Sequence, residues 1–189
     1  VVNASASSPV AATTASVRPD VATLWRAVDA VPDPEIPVLS VVDLGIVRAI
    51  EWLGDLLVVR VTPTYSGCPA TEQIIGAIRA AVEAQGVAQV RVDIELSPAW
   101  TTDWMAESAR QKLRDYGIAP PGRETGPLPR AARIDVAGIS PLRRAAIAVQ
   151  CPRCGSAATE LVSQFGSTAC KALYRCAACR EPFDYFKPH

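Results

Sequence analysis

Cys151-Pro152-Arg153-Cys154-Gly155 and Cys176-Ala177-Ala178-Cys179 decide how the end of this chain folds. Each is a C-x2-C turn, and 21 residues lie between them. A tetrahedral metal needs four soft donors converging on one point, and each turn supplies two of them from one short loop. The spacing suits a short β-hairpin that folds back to join the two turns. The pattern therefore predicts a zinc ribbon, with Cys151, Cys154, Cys176 and Cys179 holding Zn2+ in a structural role. Two disulfides fit less well, because paired C-x2-C turns in a chain without an export pattern are metal sites more often than crosslinks. Thiolate ligation alone does not separate zinc from iron, so a four-cysteine iron site stays open beside the preferred zinc.

Upstream of the ribbon the pattern changes to that of an ordinary globular domain. Val21, Leu24, Trp25 and Val28 recur at the i, i+3, i+4, i+7 spacing of a helix with one buried face, with Asp20 as its N-cap and Pro32 and Pro34 as its stop. Two strands follow over 45–51 and 56–62, turned at Gly54-Asp55. A second helix carries Ile74, Ile75, Ile78 and Val82 on one side and ends at Gly86. Val90, Val92, Ile94 and Leu96 alternate with Arg91, Asp93 and Glu95, which predicts a strand with one buried face. A third helix over 103–116 groups Met105, Ala109, Leu113 and Tyr116, and Gly117 stops it.

The order α-β-β-α-β-α predicts an α+β domain, a small mixed sheet with helices packed on it, followed by the ribbon as a small β domain. The expected divisions are a disordered tail over 1–19, the α+β domain over 20–117, a Pro-rich linker over 118–142 and the ribbon over 143–189. The tail is Ala, Ser, Thr and Val without charge before Arg18, unlike an export signal, and no run nears the ~18 apolar residues of a membrane span. The expectation is a cytoplasmic protein that does not bind membranes.

Net charge is zero but unevenly spread: residues 1–122 carry 9 basic and 14 acidic side chains, whereas 143–189 carry 7 basic and 3 acidic. The two ends can attract one another, or the ribbon can dock an acidic partner; an excess of four positive charges is weak for nucleic acid. Oligomerisation is left open.

Cys68 is the candidate functional thiol. Pro69 suits the first helical position, which would put Cys68 at the N-cap, where unpaired N–H groups and the helix dipole favour a thiolate. Asp33, Glu35 and Asp43 supply carboxylates ahead of the first strand. Cys170, beside Lys171, is an extra ribbon cysteine outside the tetrad, with a pKa that the lysine could lower, which leaves a second reactive or alternate-ligand role open. Trp100 and Trp104 flank the start of the third helix and suggest an interface or substrate wall. The single histidine, His189, gives no basis for histidine acid–base chemistry, and no Glu-x-x-His pair or phosphate-cradling glycine loop exists. The chain reads as a carrier or assembly factor without catalysis of its own.

Asp33-Pro34-Glu35-Ile36-Pro37, Val42-Asp43-Leu44-Gly45-Ile46-Val47 and Thr64-Tyr65-Ser66-Gly67-Cys68-Pro69 together resemble the metal–sulfur cluster biosynthesis (SufT-like) domain family. With Pro98-Ala99-Trp100-Thr101-Thr102-Asp103-Trp104-Met105, Phe165-Gly166-Ser167-Thr168, Glu181-Pro182-Phe183 and the ribbon cysteines, the chain from about residue 20 onward is similar to the D-subunit family of bacterial phenylacetyl-CoA epoxidases. That resemblance implies an accessory subunit in aerobic phenylacetate catabolism that assists maturation of iron or iron–sulfur centres in its partners. It implies a transient iron or Fe–S cargo at Cys68, with Asp43 and Glu35 as metal-delivery neighbours. The implied partners are the other epoxidase subunits or Fe–S carriers. The alternative is a structural or electron-transfer subunit of the oxygenase with redox-active iron in the four-cysteine site.

Overall fold

The computed structural model describes residues 18–122 and 149–188. Most of the expected tail and of the expected linker, together with His189, lies outside the described residues.

Helix α1 (Val21–Asp29) starts where the sequence says it should: the Asp20 carboxylate accepts the Thr23 N–H at 2.7 Å. A cap of this kind contributes about 1 kcal/mol. Leu24 and Val28 point into the core and are fully buried. Strands β1 (Val47–Leu53) and β2 (Leu56–Val61) form an antiparallel hairpin closed by Leu53 opposite Leu56. The two-residue turn needs a left-handed residue, and Gly54 supplies it at φ +59°. Helix α2 (Thr71–Glu83) then crosses over to β3 (Val90–Ile94), which pairs parallel to β2. The result is a mixed sheet of order β1-β2-β3, with β2 in the centre carrying Leu57, Val58, Val59 and Val61 as one nearly continuous buried run.

The clean burial expected of β3 is only partly present. Val90 and Val92 pack against the core, but Ile94 is 45% exposed and Leu96 59%. β3 is an edge strand, and Ile94 already pairs with the last residue of β2, so the chain beyond it has no sheet beneath it.

The third helix also differs from expectation. A single 3-10 turn spans Thr102–Trp104, the chain extends through Met105 and Ala106, and α3 runs only from Glu107 to Tyr116. The break has a cause in hydrogen bonding. The Ala106 N–H reaches the Asp43 carbonyl at 3.0 Å, and the Trp100 indole N–H reaches the Leu44 carbonyl at 2.9 Å. This segment is clamped to residues 43–45, and Gly45 is what permits the approach: at φ +69°, a Cβ there would sit 2.5 Å from the Trp104 carbonyl oxygen. Tyr116, expected inside, is 59% exposed, and Gly117 ends α3 in the left-handed region as expected.

Past Gly117 the chain does not leave as a linker at once. Ile118–Ala119 form β4, which pairs parallel to β7 (Pro182–Phe186). With β5 (Thr159–Ser163) and β6 (Lys171–Cys176), this gives a second sheet of order β4-β7-β6-β5. The buried Arg110 guanidinium holds this exit, donating to the carbonyls of Thr102 (2.7 Å) and Pro121 (2.6 Å).

Two hydrophobic clusters result. The ribbon has its own, built on Tyr174 stacked on Phe183 and edge-on to Tyr185. Yet Ile118, Cys170 and Phe186 belong to the large cluster of the first sheet, and Phe186 meets Trp100 edge-on with ring centres 6.1 Å apart. The two sheets therefore share a seam.

Candidate functional site

The four ribbon cysteines converge as their spacing predicts. In the first turn the Gly155 N–H bonds the Cys151 carbonyl and the Cys151 N–H bonds the Ser156 carbonyl, both at 2.9 Å. The residue after the second cysteine of each pair is left-handed: Gly155 at φ +74° and Arg180 at φ +64°. This shared bend turns both sulfurs of a pair toward the same side. The sulfurs of Cys151 and Cys179 lie 3.8 Å apart, those of Cys154 and Cys176 3.6 Å, and all four lie within 4.8 Å of one another. A tetrahedron with Zn–S bonds of about 2.3 Å has edges of about 3.8 Å, whereas a disulfide would bring two sulfurs to about 2.05 Å.

The charges agree with that geometry. The Cys179 N–H, ahead of its neighbours, draws the Cys176 thiol down to about 6. Cys179 moves the other way, to about 12: the Glu181 N–H would lower it, but burial and the other three sulfurs outweigh that. Four thiolates this close cannot all ionise unaided, and a divalent cation is what lets them. The tetrad fits a structural Zn2+, whose part is to tie the two turns together.

A second cysteine site lies at the seam. The loop between β2 and α2 folds back on itself, with the Cys68 N–H bonding the Tyr65 carbonyl at 3.2 Å. The Cys68 carbonyl in turn accepts from Thr71, at 3.2 Å from its N–H and 2.8 Å from its hydroxyl. That bonding makes α2 begin at Thr71 with Ala70 as its N-cap, so Cys68 stands two residues before the cap position expected for it. Its half-buried side chain lines a cavity of about 20 Å³ together with Asp33, Glu35, Thr64, Cys170, Phe186 and apolar neighbours. The Tyr65 phenol beside it is pushed up to about 12, by burial first and then by the charges of Cys68 and Glu35.

Glu35 is presented by a tight Asx turn. The Asp33 carboxylate accepts the N–H groups of Glu35 (2.9 Å) and Ile36 (2.8 Å), and burial raises the Asp33 pKa against those bonds. Cys170 arrives from the other sheet. It is 4% exposed, with its sulfur 3.1 Å from the Thr168 hydroxyl and 3.5 Å from a Glu35 carboxylate oxygen. The lowered pKa expected from Lys171 is not found: burial drives the Cys170 thiol up to about 11, with Glu35 adding to the rise. Lys171 is itself buried, its ammonium 3.4 Å from the Glu35 carbonyl and 3.7 Å from the Asp184 carboxylate.

Asp43 is placed apart from this cavity. Its carboxylate accepts the Ser40 N–H at 3.0 Å and the Lys112 ammonium at 2.6 Å, which ties the loop before β1 to α3. Trp100 is a core residue rather than an exposed wall, and Trp104 carries the Arg48 guanidinium 3.5 Å above its ring. Cys170 and Arg110 are the residues that sequence reasoning undervalued. Their importance comes from partners far along the chain, and neither has a local motif to announce it.

Comparison with known proteins matches both halves. Residues 22–94 fit the model of an iron–sulfur cluster assembly protein family, and residues 138–187 fit that of the PaaD zinc beta ribbon domain. Over 169 residues the chain is 53% identical to an Escherichia coli K12 protein named as the D subunit of 1,2-phenylacetyl-CoA epoxidase, covering 89% of this chain and 93% of that one. The chain belongs to the epoxidase D-subunit family. Within that family the zinc tetrad occupies the matched ribbon, and Cys68, Glu35 and Asp43 occupy the matched assembly region. The chain is also 39% identical over 90 residues to an Fe-S protein maturation auxiliary factor of Porphyromonas gingivalis, covering 47% of this chain and 85% of the other. A conserved hypothetical protein of Thermotoga maritima aligns at 28% identity and TM-score 0.45, over 51% of this chain and 95% of its own. No helix among the described residues is long and apolar enough to cross a membrane.

Proposed function

We propose that this chain is an accessory maturation factor for the iron or iron–sulfur centres of a phenylacetyl-CoA epoxidase-like assembly, and that Cys68 is the residue that handles the cargo. The observation that carries this reading is the cavity at the seam. It sets a half-buried thiol beside the Glu35 carboxylate, in the part of the chain matched to iron–sulfur assembly proteins. A thiol with a carboxylate neighbour can take up iron and release it, because neither group offers the closed four-sulfur cage that retains a structural ion. In this reading Asp43 ties the loop before β1 to α3 at a distance from the cavity, and the ribbon, shaped by zinc, closes one wall and faces the partner. The division into an assembly domain and a ribbon is part of the same proposal, with Ile118–Ala119 assigned to the ribbon sheet.

The test is a chain carrying Cys68→Ser. It should keep its zinc and its fold while the partner epoxidase loses iron occupancy and activity together. Unchanged iron content in epoxidase matured with the Cys68→Ser chain would sink the proposal. Zinc analysis of the same preparation should give one ion per chain without iron–thiolate colour, which separates this reading from an electron-transfer role for the ribbon.

A further inference from the structure

Cys170 is a second thiol at the seam, and cargo handling by Cys68 alone leaves it without a task. We infer that Cys170 is a cargo ligand: the ribbon contributes it to Cys68 and Glu35 across the seam, and the three together hold a single soft divalent cation. This rests on the reading of Cys68 as the cargo-handling residue and adds to it a ligand from the other sheet, together with the size of the cargo.

One pair of the proposed ligands already stands at coordination spacing. Its sulfur lies 3.5 Å from the Glu35 carboxylate oxygen. In a tetrahedral site with metal–sulfur bonds near ~2.3 Å and metal–oxygen bonds near ~2.1 Å, adjacent ligand atoms stand about 3.6 Å apart. Cys68 lines the same small cavity from the opposite loop. Among the described residues only the zinc tetrad has three or more such ligand atoms within 4.8 Å of one another, so the inferred site requires the side chains to rotate together around the ion.

The size of the cavity suits an ion better than a cluster. The cavity measures about 20 Å³. One water-sized particle needs roughly 10–15 Å³ on this scale, so a lone ion fits the cavity as it stands, whereas a four-atom iron–sulfide rhomb requires it to widen.

The backbone beside the ligands is held without a cargo ion. The Lys187 N–H bonds the Cys170 carbonyl at 3.0 Å within the ribbon, and the Lys171 ammonium reaches across the seam to the Glu35 carbonyl, so the two sides are fastened next to the ligands. A ribbon that lost its zinc would withdraw Cys170 from the site. The structural ion would thus govern the cargo ion through the position of one side chain.

The experiment uses the full, zinc-loaded chain and adds Co2+ anaerobically, reading the thiolate-to-cobalt charge-transfer band. The wild-type chain should bind one Co2+ beyond its zinc. Cys170→Ser and Cys68→Ser should each leave roughly half the band and weaken binding by about tenfold or more, and the double variant should lose the band. Glu35→Gln should weaken binding and keep the band. Zinc content is measured in every variant, and Cys170→Ala serves as a second substitution should Ser disturb the buried position.

A full band and full affinity in both Cys170 variants, or no Co2+ bound by the wild-type chain, would overturn the inference. So would stoichiometric uptake of acid-labile sulfide with iron, because that means a cluster. These outcomes are distinct from failure of the proposed function, which is read from epoxidase iron with the Cys68→Ser chain. Loss there together with normal Co2+ binding by Cys170→Ser would keep the function and discard the composite site.

Discussion

The ribbon tetrad and the seam pair are both built from cysteines, but different lengths of chain bring them together. Each half of the tetrad comes from one turn of four residues, closed by its own backbone hydrogen bonds and a left-handed residue after the second cysteine. Cys68 and Cys170 lie 102 residues apart (170 − 68) and share a cavity only because two sheets pack against each other. Local geometry gives a closed cage suited to permanent binding. Tertiary packing gives a small cavity with two thiols and a carboxylate, which in the proposed reading suits exchange. A chain that holds one metal and, as proposed, passes on another has reason to use both.

The largest effect expected is on the ribbon itself. Structural zinc is worth on the order of 10 kcal/mol or more in small modules, and the ribbon's own cluster is only a few aromatic and small side chains. Chelation, or Cys151→Ser, should open residues 149–188 to protease. The first sheet should survive at a lower melting temperature, since it loses Phe186 and Cys170 from its core. A first sheet that melts at an unchanged temperature after zinc removal would mean that the seam contributes nothing to stability.

Phe186 allows a sharper cut between the two regions, because it is 1% exposed and belongs to the ribbon by sequence but to the first core by packing. Truncating a buried Phe to Ala costs about 3–5 kcal/mol. Phe186→Ala should therefore lower the stability of the first sheet in denaturant titration while the ribbon retains its zinc. If the variant instead releases zinc with no change in the main unfolding transition, Phe186 is a ribbon residue and the shared core is wrong.

What could be read from the sequence follows the same division between local and distant causes. Asp20 capping α1, the Gly54-Asp55 hairpin, the Ile74/Ile78/Val82 face of α2 and the zinc turns all depend on neighbours within a few residues, and all are found in the structure. The misses depend on distance. The break before α3 comes from residues 43–45, the exposed end of β3 comes from where β2 stops, and the raised pKa of Cys170 comes from burial at the seam. Lys171 lies next to Cys170 in sequence, but its ammonium turns to the Glu35 carbonyl and to Asp184, and desolvation outweighs its charge at the thiol.

The smallest effect expected separates two carboxylates that the sequence presents as equivalent. Burial alone would raise Asp43, but the Lys112 ammonium and the Ser40 N–H outweigh it, and its pKa falls below the ordinary 3.8. A depressed carboxylate adds stability that is complete above 3.8 and is lost as the pH falls through the lower folded value. Asp33 has the opposite sign: burial raises it, so its contribution is complete below 3.8 and is lost as the pH rises through its folded value. Asp43→Asn should therefore cost most at neutral pH, and the gap from wild type should narrow as the pH drops below 3.8. Lys112 is 47% exposed, so solvent screens the pair and the gap should not exceed about 1 kcal/mol. Asp33→Asn should do the reverse on the electrostatic side, with less to lose at neutral pH than in acid. Melting curves of both variants from about pH 7 down to about pH 3 measure the two slopes. Parallel slopes would show that the Asp43–Lys112 contact does not hold the loop before β1 against α3 in solution.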